Sequence, residues 1–178
     1  MIRISVFAEA ALKLLQGSRL EGPSLDRIGR YGASLVRKDS TQSFVRQADP
    51  TTGQRWKPIK YRRRGDVAKA QILIDTGRLR RAVGAEYSAA GAQVEIRGGI
   101  RPVVYGLIHQ FGGHTAAHVI LPRKAKVLRW TGSDGGSVFA RRVNHPGSSI
   151  PARPYVGITP QSVNAFTAFV RRQMEGRS

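Results

Sequence analysis

Two stretches of helical periodicity bracket this chain, and the residues between them are patterned for short strands. The later stretch is the sharper. Thr159 precedes Pro160, which suits a helix N-cap followed by proline at the first helical position. Val163, Phe166, Val170 and Met174 then recur at helical spacing, with Phe169 beside them, so one face is apolar. The earlier stretch is announced by Pro23-Ser24, with Ser24 as the expected N-cap and Asp26 in the first turn. Leu25, Ile28, Leu35 and Val36 supply its buried stripe, which Phe44 and Val45 extend. Arg27, Arg30, Arg37 and Lys38 fall largely off that stripe, and the helix should end before Asp49-Pro50. A further helix is read over Phe7 to Gln16, closed by Gly17.

Strand signals fill the rest. Ile2, Ile4 and Val6 alternate with Arg3 and Ser5. Thr51-Thr52-Gly53 reads as a turn, and Asp75 or Thr76 as the cap of a short helix over Arg78 to Ala82. Val83 to Tyr87 and Gln93 to Arg97 predict a hairpin around Ala89-Ala90-Gly91. Val119 to Leu121, Lys126 to Trp130 and Ser137 to Val143 are three more strand candidates, with a Gly-rich tip at Thr131 to Gly136 and a loop at His145 to Ser149. Val103 to Phe111 fits a strand or a short helix, and periodicity does not separate the two. Helices first, then strands, then a helix predict an α+β fold: a mostly antiparallel sheet with N-terminal helices and a C-terminal helix packed on one face. The 178 residues are read as one domain with extended loops or arms at 54–69 and 123–147.

Charge narrows the function. Thirty Lys and Arg against eleven Asp and Glu leave +19 at neutral pH. Such a chain repels itself and seeks an anionic partner, whether nucleic acid, an acidic protein surface or an anionic membrane. No apolar run approaches the roughly 18 residues of a spanning helix. The start, Met1 to Val6, lacks the apolar stretch of a signal peptide. Cysteine is absent, which excludes disulfides and thiolate metal sites. The cytosol is therefore the expected place of synthesis.

Catalytic signals are weak. There is no phosphate-cradling glycine loop and no nucleophile elbow. Beyond residue 100 the only carboxylates are Asp134 and Glu175, too few for a paired-carboxylate or two-metal site. His114 and His118 stand four apart, a ligand spacing on a helix, but Thr115, Val119 and Ile120 favour strand and no acid lies near. Neither a metal nor a cofactor is expected, and the chain is read as not an enzyme. The stronger feature is Lys57, Lys60, Arg62, Arg63 and Arg64 around Trp56 and Tyr61. Cations beside aromatics suit phosphate contact with base stacking; the alternative is a solvated loop or one that docks an acidic neighbour.

Four segments, in order, resemble one family. They are Asp49 to Pro58, containing Trp56; Ile74 to Arg80, containing Asp75, Thr76, Gly77, Arg78 and Leu79; Tyr105 to Gly113, containing His109, Gln110, Phe111, Gly112 and Gly113; and Ile150 to Gly157, containing Pro151, Ala152, Arg153 and Pro154. They are similar to the successive motifs of the phage virion morphogenesis family, the Mu-like and tail-completion proteins. A related family of head–tail joining tail components shares the closing element. The resemblance implies a structural subunit at the neck or upper end of a phage tail, in the virion once built and in the host cytoplasm before. It also implies a ring of itself, expected to be a hexamer, between other neck and tail-tube proteins, with DNA passing non-specifically through the lumen and no membrane. The motif residues become candidates for contacts between subunits. A stand-alone basic DNA-binding module is the competing reading.

On the residues themselves, Gly77 permits a tight turn, and Gly112-Gly113 let the chain reverse after Phe111, expected to be buried. Pro151 and Pro154 hold an extended approach to the last helix, with Arg153 expected to point outward.

Overall fold

The computed structural model describes residues 2–5, 22–59, 71–90, 93–100, 105–123 and 125–175. The helix read over Phe7 to Gln16 and the cations Lys60, Arg62, Arg63 and Arg64 lie outside them.

Strand β1 (Ile2–Ser5) is followed by the long helix α1 (Gly22–Arg46). Helix α1 starts earlier than Ser24, so Ser24 is inside it and not its cap. Leu25, Ile28, Leu35, Val36 and Phe44 are buried along one side, while Val45 points away, 59% exposed. The reason is angular: Phe44 lies eight residues beyond Val36, and Val45 is turned off that line by a further 100°. Gln47 ends the helix with φ of 56°, and its side-chain amide reaches the backbone of Ile72, pinning the 71–74 segment to the helix end. Asp49 then organises a tight turn, accepting from the Thr51 amide and the Thr52 hydroxyl, while Ala48 and Arg55 form a bridge.

Helix α2 (Arg78–Ala82) leads into the hairpin of β2 (Val83–Ala90) and β3 (Gln93–Ile100). Neither Asp75 nor Thr76 caps α2; Gly77 does, at φ of 70°, with no side-chain bond. The sheet order is β1-β3-β2, antiparallel throughout, with Val83 opposite Ile100 and Ile2 opposite Ile100 on the other side. Helix α1 packs against β2 and β3, and the last helix, α4 (Pro160–Glu175), packs on α1. Helix α3 (Gly106–Phe111) resolves the ambiguity of that apolar run in favour of helix. The class is thus α+β, as read from the sequence.

Two apolar clusters hold this body. One joins α1 to α4 through Leu25, Ile28, Val36, Ile158, Phe166 and Val170, with Ala85 and Tyr87 of β2 packed on it. The other joins Phe44, Trp56, Leu79, Val83, Tyr155 and Val156. Phe44 sits edge-on to Trp56 with ring centres 5.7 Å apart and tilted to Tyr155 at 5.3 Å.

The remaining strands leave the body. β4 (Gly113–His114) pairs with β9 (Ser149–Ile150), β5 (His118–Ile120) with β8 (Val143–His145), and β6 (Leu128–Thr131) with β7 (Ser137–Ala140). These ladders are nested, so 113–150 is one long two-stranded ribbon that goes out and comes back. The two outer ladders are separate, the first ending at the Ile120–Val143 pair and the second beginning at the Leu128–Ala140 pair. Among the ribbon's described residues not one is buried.

Phe166 is fully buried and Met174, on the same helix, is 37% exposed. Phe166→Ala should therefore lower unfolding stability by about 3–5 kcal/mol in urea denaturation. Met174→Ala should change it by less than about 1 kcal/mol.

Candidate functional site

The four motif segments meet at one place, and it is internal. Between Pro151 and Thr159 the chain is neither helix nor sheet, yet Arg153 and Tyr155 to Thr159 are all buried. A backbone taken out of water needs partners for its polar groups. Side chains provide most of them. Gln110 accepts from the amides of Tyr155 and Val156, both at 3.0 Å, and donates to the Val156 carbonyl at 3.2 Å. The Ser40 hydroxyl accepts from the Gly157 amide at 3.1 Å and lies 3.2 Å from its carbonyl. The Ser43 hydroxyl lies between the Ser40 carbonyl at 2.8 Å and the Tyr155 carbonyl at 3.2 Å, and Asp39 accepts from both the amide and hydroxyl of Thr159 at 2.7 and 2.9 Å. The Trp56 indole donates to the Pro154 carbonyl at 2.8 Å, and the Arg153 amide to the His109 carbonyl at 2.7 Å. Thr159 also accepts from the Ser162 amide, so the expected N-cap of α4 forms.

This strap corrects three expectations. Arg153 does not point outward. It is 6% exposed, and its guanidinium donates to the carbonyls of Lys57 and Pro58. Burial lowers its hold on the proton, but a guanidinium keeps its charge, and the two carbonyls answer it. Phe111 is not the buried aromatic of α3: it is 62% exposed, and Gln110 beside it faces inward. Trp56 is 5% exposed in the core, so its ring is not available to stack on a base. The Trp56 and Arg153 bonds tie residues 56–58 to the body, so an arm within 54–69 would begin beyond Pro58.

The other motif residues fall into place around the strap. Leu79 is buried beneath Trp56, whereas Asp75, Thr76 and Arg78 are exposed. Gly112 has φ of 74°, and a Cβ there would sit 2.8 Å from the Ala152 amide nitrogen, so glycine alone lets the reversal lie against the strap. Gly113 begins the ribbon, and Ala152 is exposed beside its root. Pro151 and Pro154 are half-buried, and Lys57 is exposed. Sequence reasoning passed over Asp39, Ser40 and Ser43. Their signal was there: they continue the buried stripe of α1 after Val36, where a polar side chain needs a polar target.

Chemistry at the strap is structural. Tyr155 is fully buried and donates to the Gly106 carbonyl at 2.9 Å; burial pushes its phenol far above the ordinary range. His109 is held below the usual histidine value, first by burial and then by the charge of Arg153, and its Nδ1 has no hydrogen-bond partner among the described residues. On the ribbon, His118 and His145 stack across β5 and β8 with ring centres 5.0 Å apart. The described residues include no group of three or more His, Cys, Asp or Glu able to hold a metal. Nor is any described helix long and apolar enough to cross a membrane.

With that geometry, the comparison with known sequences is decisive: residues 7–175 match the sequence model of the phage virion morphogenesis family. The chain belongs to that family. A relative in Escherichia phage Mu, described as a putative capsid assembly protein G, is 28% identical over 152 residues, covering 83% of this chain and 78% of its own length. No solved structure matches. Family membership gives the chain a structural or assembly role in the phage virion and ties it to the particle. The family is one of virion building and not a known enzyme family.

Two outcomes test this site. Gln110→Ala strips three backbone groups of partners, and each bare group costs about 1–3 kcal/mol, so the urea midpoint should fall steeply with an unchanged slope. His109 supplies a pH signature. Its folded pKa lies below the ordinary 6.5, so the unfolded chain binds the proton more readily. Stability is whole above that value and falls as pH drops through it, until the folded imidazole also protonates. His109→Phe should flatten that step in a stability–pH profile.

Proposed function

We propose that this chain is a non-enzymatic structural subunit at the neck or upper end of a phage tail. In this reading it acts as a tail-completion, tail-terminator or head–tail joining protein and forms a ring, taken as a hexamer, around the DNA channel. The observation that carries the reading is the ribbon. A two-stranded hairpin is marginal in water without a third strand or a helix against it. This one extends over 113–150 with none of its described residues buried, and it exposes Trp130, Phe139, Leu121 and Val119. Such an element makes sense on a protein built to sit among others.

Charge supports the same reading. Among the described residues one ion pair forms, Arg30 with Asp26 at 2.7 Å. Most of the surplus positive charge therefore has no internal counterweight, and neighbours or lumenal DNA would supply it. Lys57, exposed at the edge of the body, and Lys60, Arg62, Arg63 and Arg64 beyond it in sequence are candidates to face the lumen or an acidic neighbour, the latter four as an arm of the free subunit. In the host cytoplasm the subunit would await assembly.

Electron microscopy of particles, with this chain labelled, tests the proposal. The expected result is a ring of density at the head–tail junction or tail top. A chain absent from finished particles, or a purified monomer with free-standing, salt-sensitive affinity for duplex DNA, would overturn it in favour of a DNA-binding module. Self-repulsion also predicts that the purified protein closes into rings more readily as salt is raised from low to moderate levels, by native mass spectrometry. Rings most stable at the lowest salt would contradict this.

A further inference from the structure

The outer end of the ribbon has two unlike faces. Leu128 stands opposite Ala140 and Trp130 opposite Val138, while Arg129 faces Phe139 and Thr131 faces Ser137. Side chains alternate along a strand, so Leu128, Trp130, Val138 and Ala140 share one face, and it is wholly apolar. The other face carries Phe139, 59% exposed, with the Arg129 guanidinium 5.7 Å from its ring centre. Trp130 on the apolar face is 43% exposed. A Trp and a Phe with an Arg beside them, on an apolar strip, have the composition of a protein interface core.

The surroundings of that strip choose the partner. Along 113–150 the sequence has Arg123, Lys124, Lys126, Arg129, Arg141 and Arg142 against one carboxylate, Asp134. Asp134 accepts from the amide of Gly136 inside the turn, and its single charge leaves the ribbon strongly positive. A second copy of this chain is a poor match, because it repeats the +19 surplus. Asp26, Asp39 and Asp49 of each copy are already engaged by that copy's own Arg30 and Tyr87, Thr159, and Thr51 and Thr52, and its exposed Asp75, Glu86 and Glu175 are far outnumbered by its thirty Lys and Arg. Duplex DNA would satisfy the cations but leave the Leu128–Ala140 face in water. We infer that the ribbon tip docks into an apolar groove with an acidic rim on a different protein of the particle. Trp130 and Phe139 anchor it, and Arg129 and its basic neighbours meet the carboxylates. The inference rests on the virion reading above and adds the chemistry of the neighbour.

Photo-crosslinking tests it. Phe139, exposed and outside both core clusters, is replaced by benzoylphenylalanine in the full chain; particles are assembled, irradiated and digested, and crosslinked peptides are sequenced by mass spectrometry. The expected product joins Phe139's position to a different virion protein, within a segment richer in Asp and Glu than in Lys and Arg. In the same particles Arg129→Glu should cut the yield several-fold. Crosslinks to a second copy of this chain, crosslinks to DNA, no crosslink from particles that contain the chain, or a yield indifferent to Arg129→Glu would each overturn the inference. Particles that lack the chain altogether would instead overturn the virion reading, and the inference with it.

Discussion

Backbone amides that leave water must be paired, and between Pro151 and Thr159 no helix or sheet does the pairing. Asp39, Ser40 and Ser43 of α1, Gln110 of α3 and the Trp56 indole do it instead. Everything else in the body is arranged so that these groups arrive together. Helix α1 turns its polar residues to the strap only because Leu25, Ile28 and Val36 are held against α4 farther up the same side. Helix α4 begins where the strap ends, capped by the same Thr159 that Asp39 grips. Gly157 can pass between Ser40 and the Pro50–Thr51 turn because it has no Cβ, which would lie 2.7 Å from the Thr51 hydroxyl and 2.8 Å from the Pro50 ring. A buried polar network of this sort specifies one arrangement, since any slip of the strap leaves several groups bare.

That arrangement divides the molecule by physical role. The strap and its partners take up part of the motif set, while Asp75, Thr76, Arg78, Phe111 and Ala152 stay exposed. Leu79, Gln110, Arg153 and Trp56 all face inward. What faces outward is the ribbon that Gly112 and Gly113 release from the strap's edge, together with the basic side of α1. A stable core with an unburied, apolar-tipped extension is the design of a part that fits between other parts. Loops and arms that await a partner are drawn from the least protected regions of a fold.

Much of the framework was legible. Thr159-Pro160 marked the start of α4, the alternation in Val83 to Tyr87 marked β2, and the short helix at Arg78 to Ala82 lay where the sequence put it. Local signals read well because the chemistry that makes them is local. Direction was harder. An Arg between two prolines reads as surface because most arginines are, and only the carbonyls of Lys57 and Pro58, 95 residues or more away in sequence, turn Arg153 inward. The same holds for Phe111, whose helix rolls so that Gln110 can reach the strap. The ribbon's length was also hidden. Its inner ladders pair Gly113 with Ile150 and His118 with His145, contacts that no local window contains.

Hydrogen exchange on the free, full-length protein tests the strap most directly, because the claim is about particular amides. Tyr155, Val156, Gly157 and Thr159 donate to side chains of α1 and α3, so their amides should exchange only when the whole body unfolds, at the rate of the α1 core. Amides of β5 to β8 should exchange orders of magnitude faster. Strap amides that exchange as quickly as the ribbon, while α1 stays protected, would show that the body holds without them and would contradict the account.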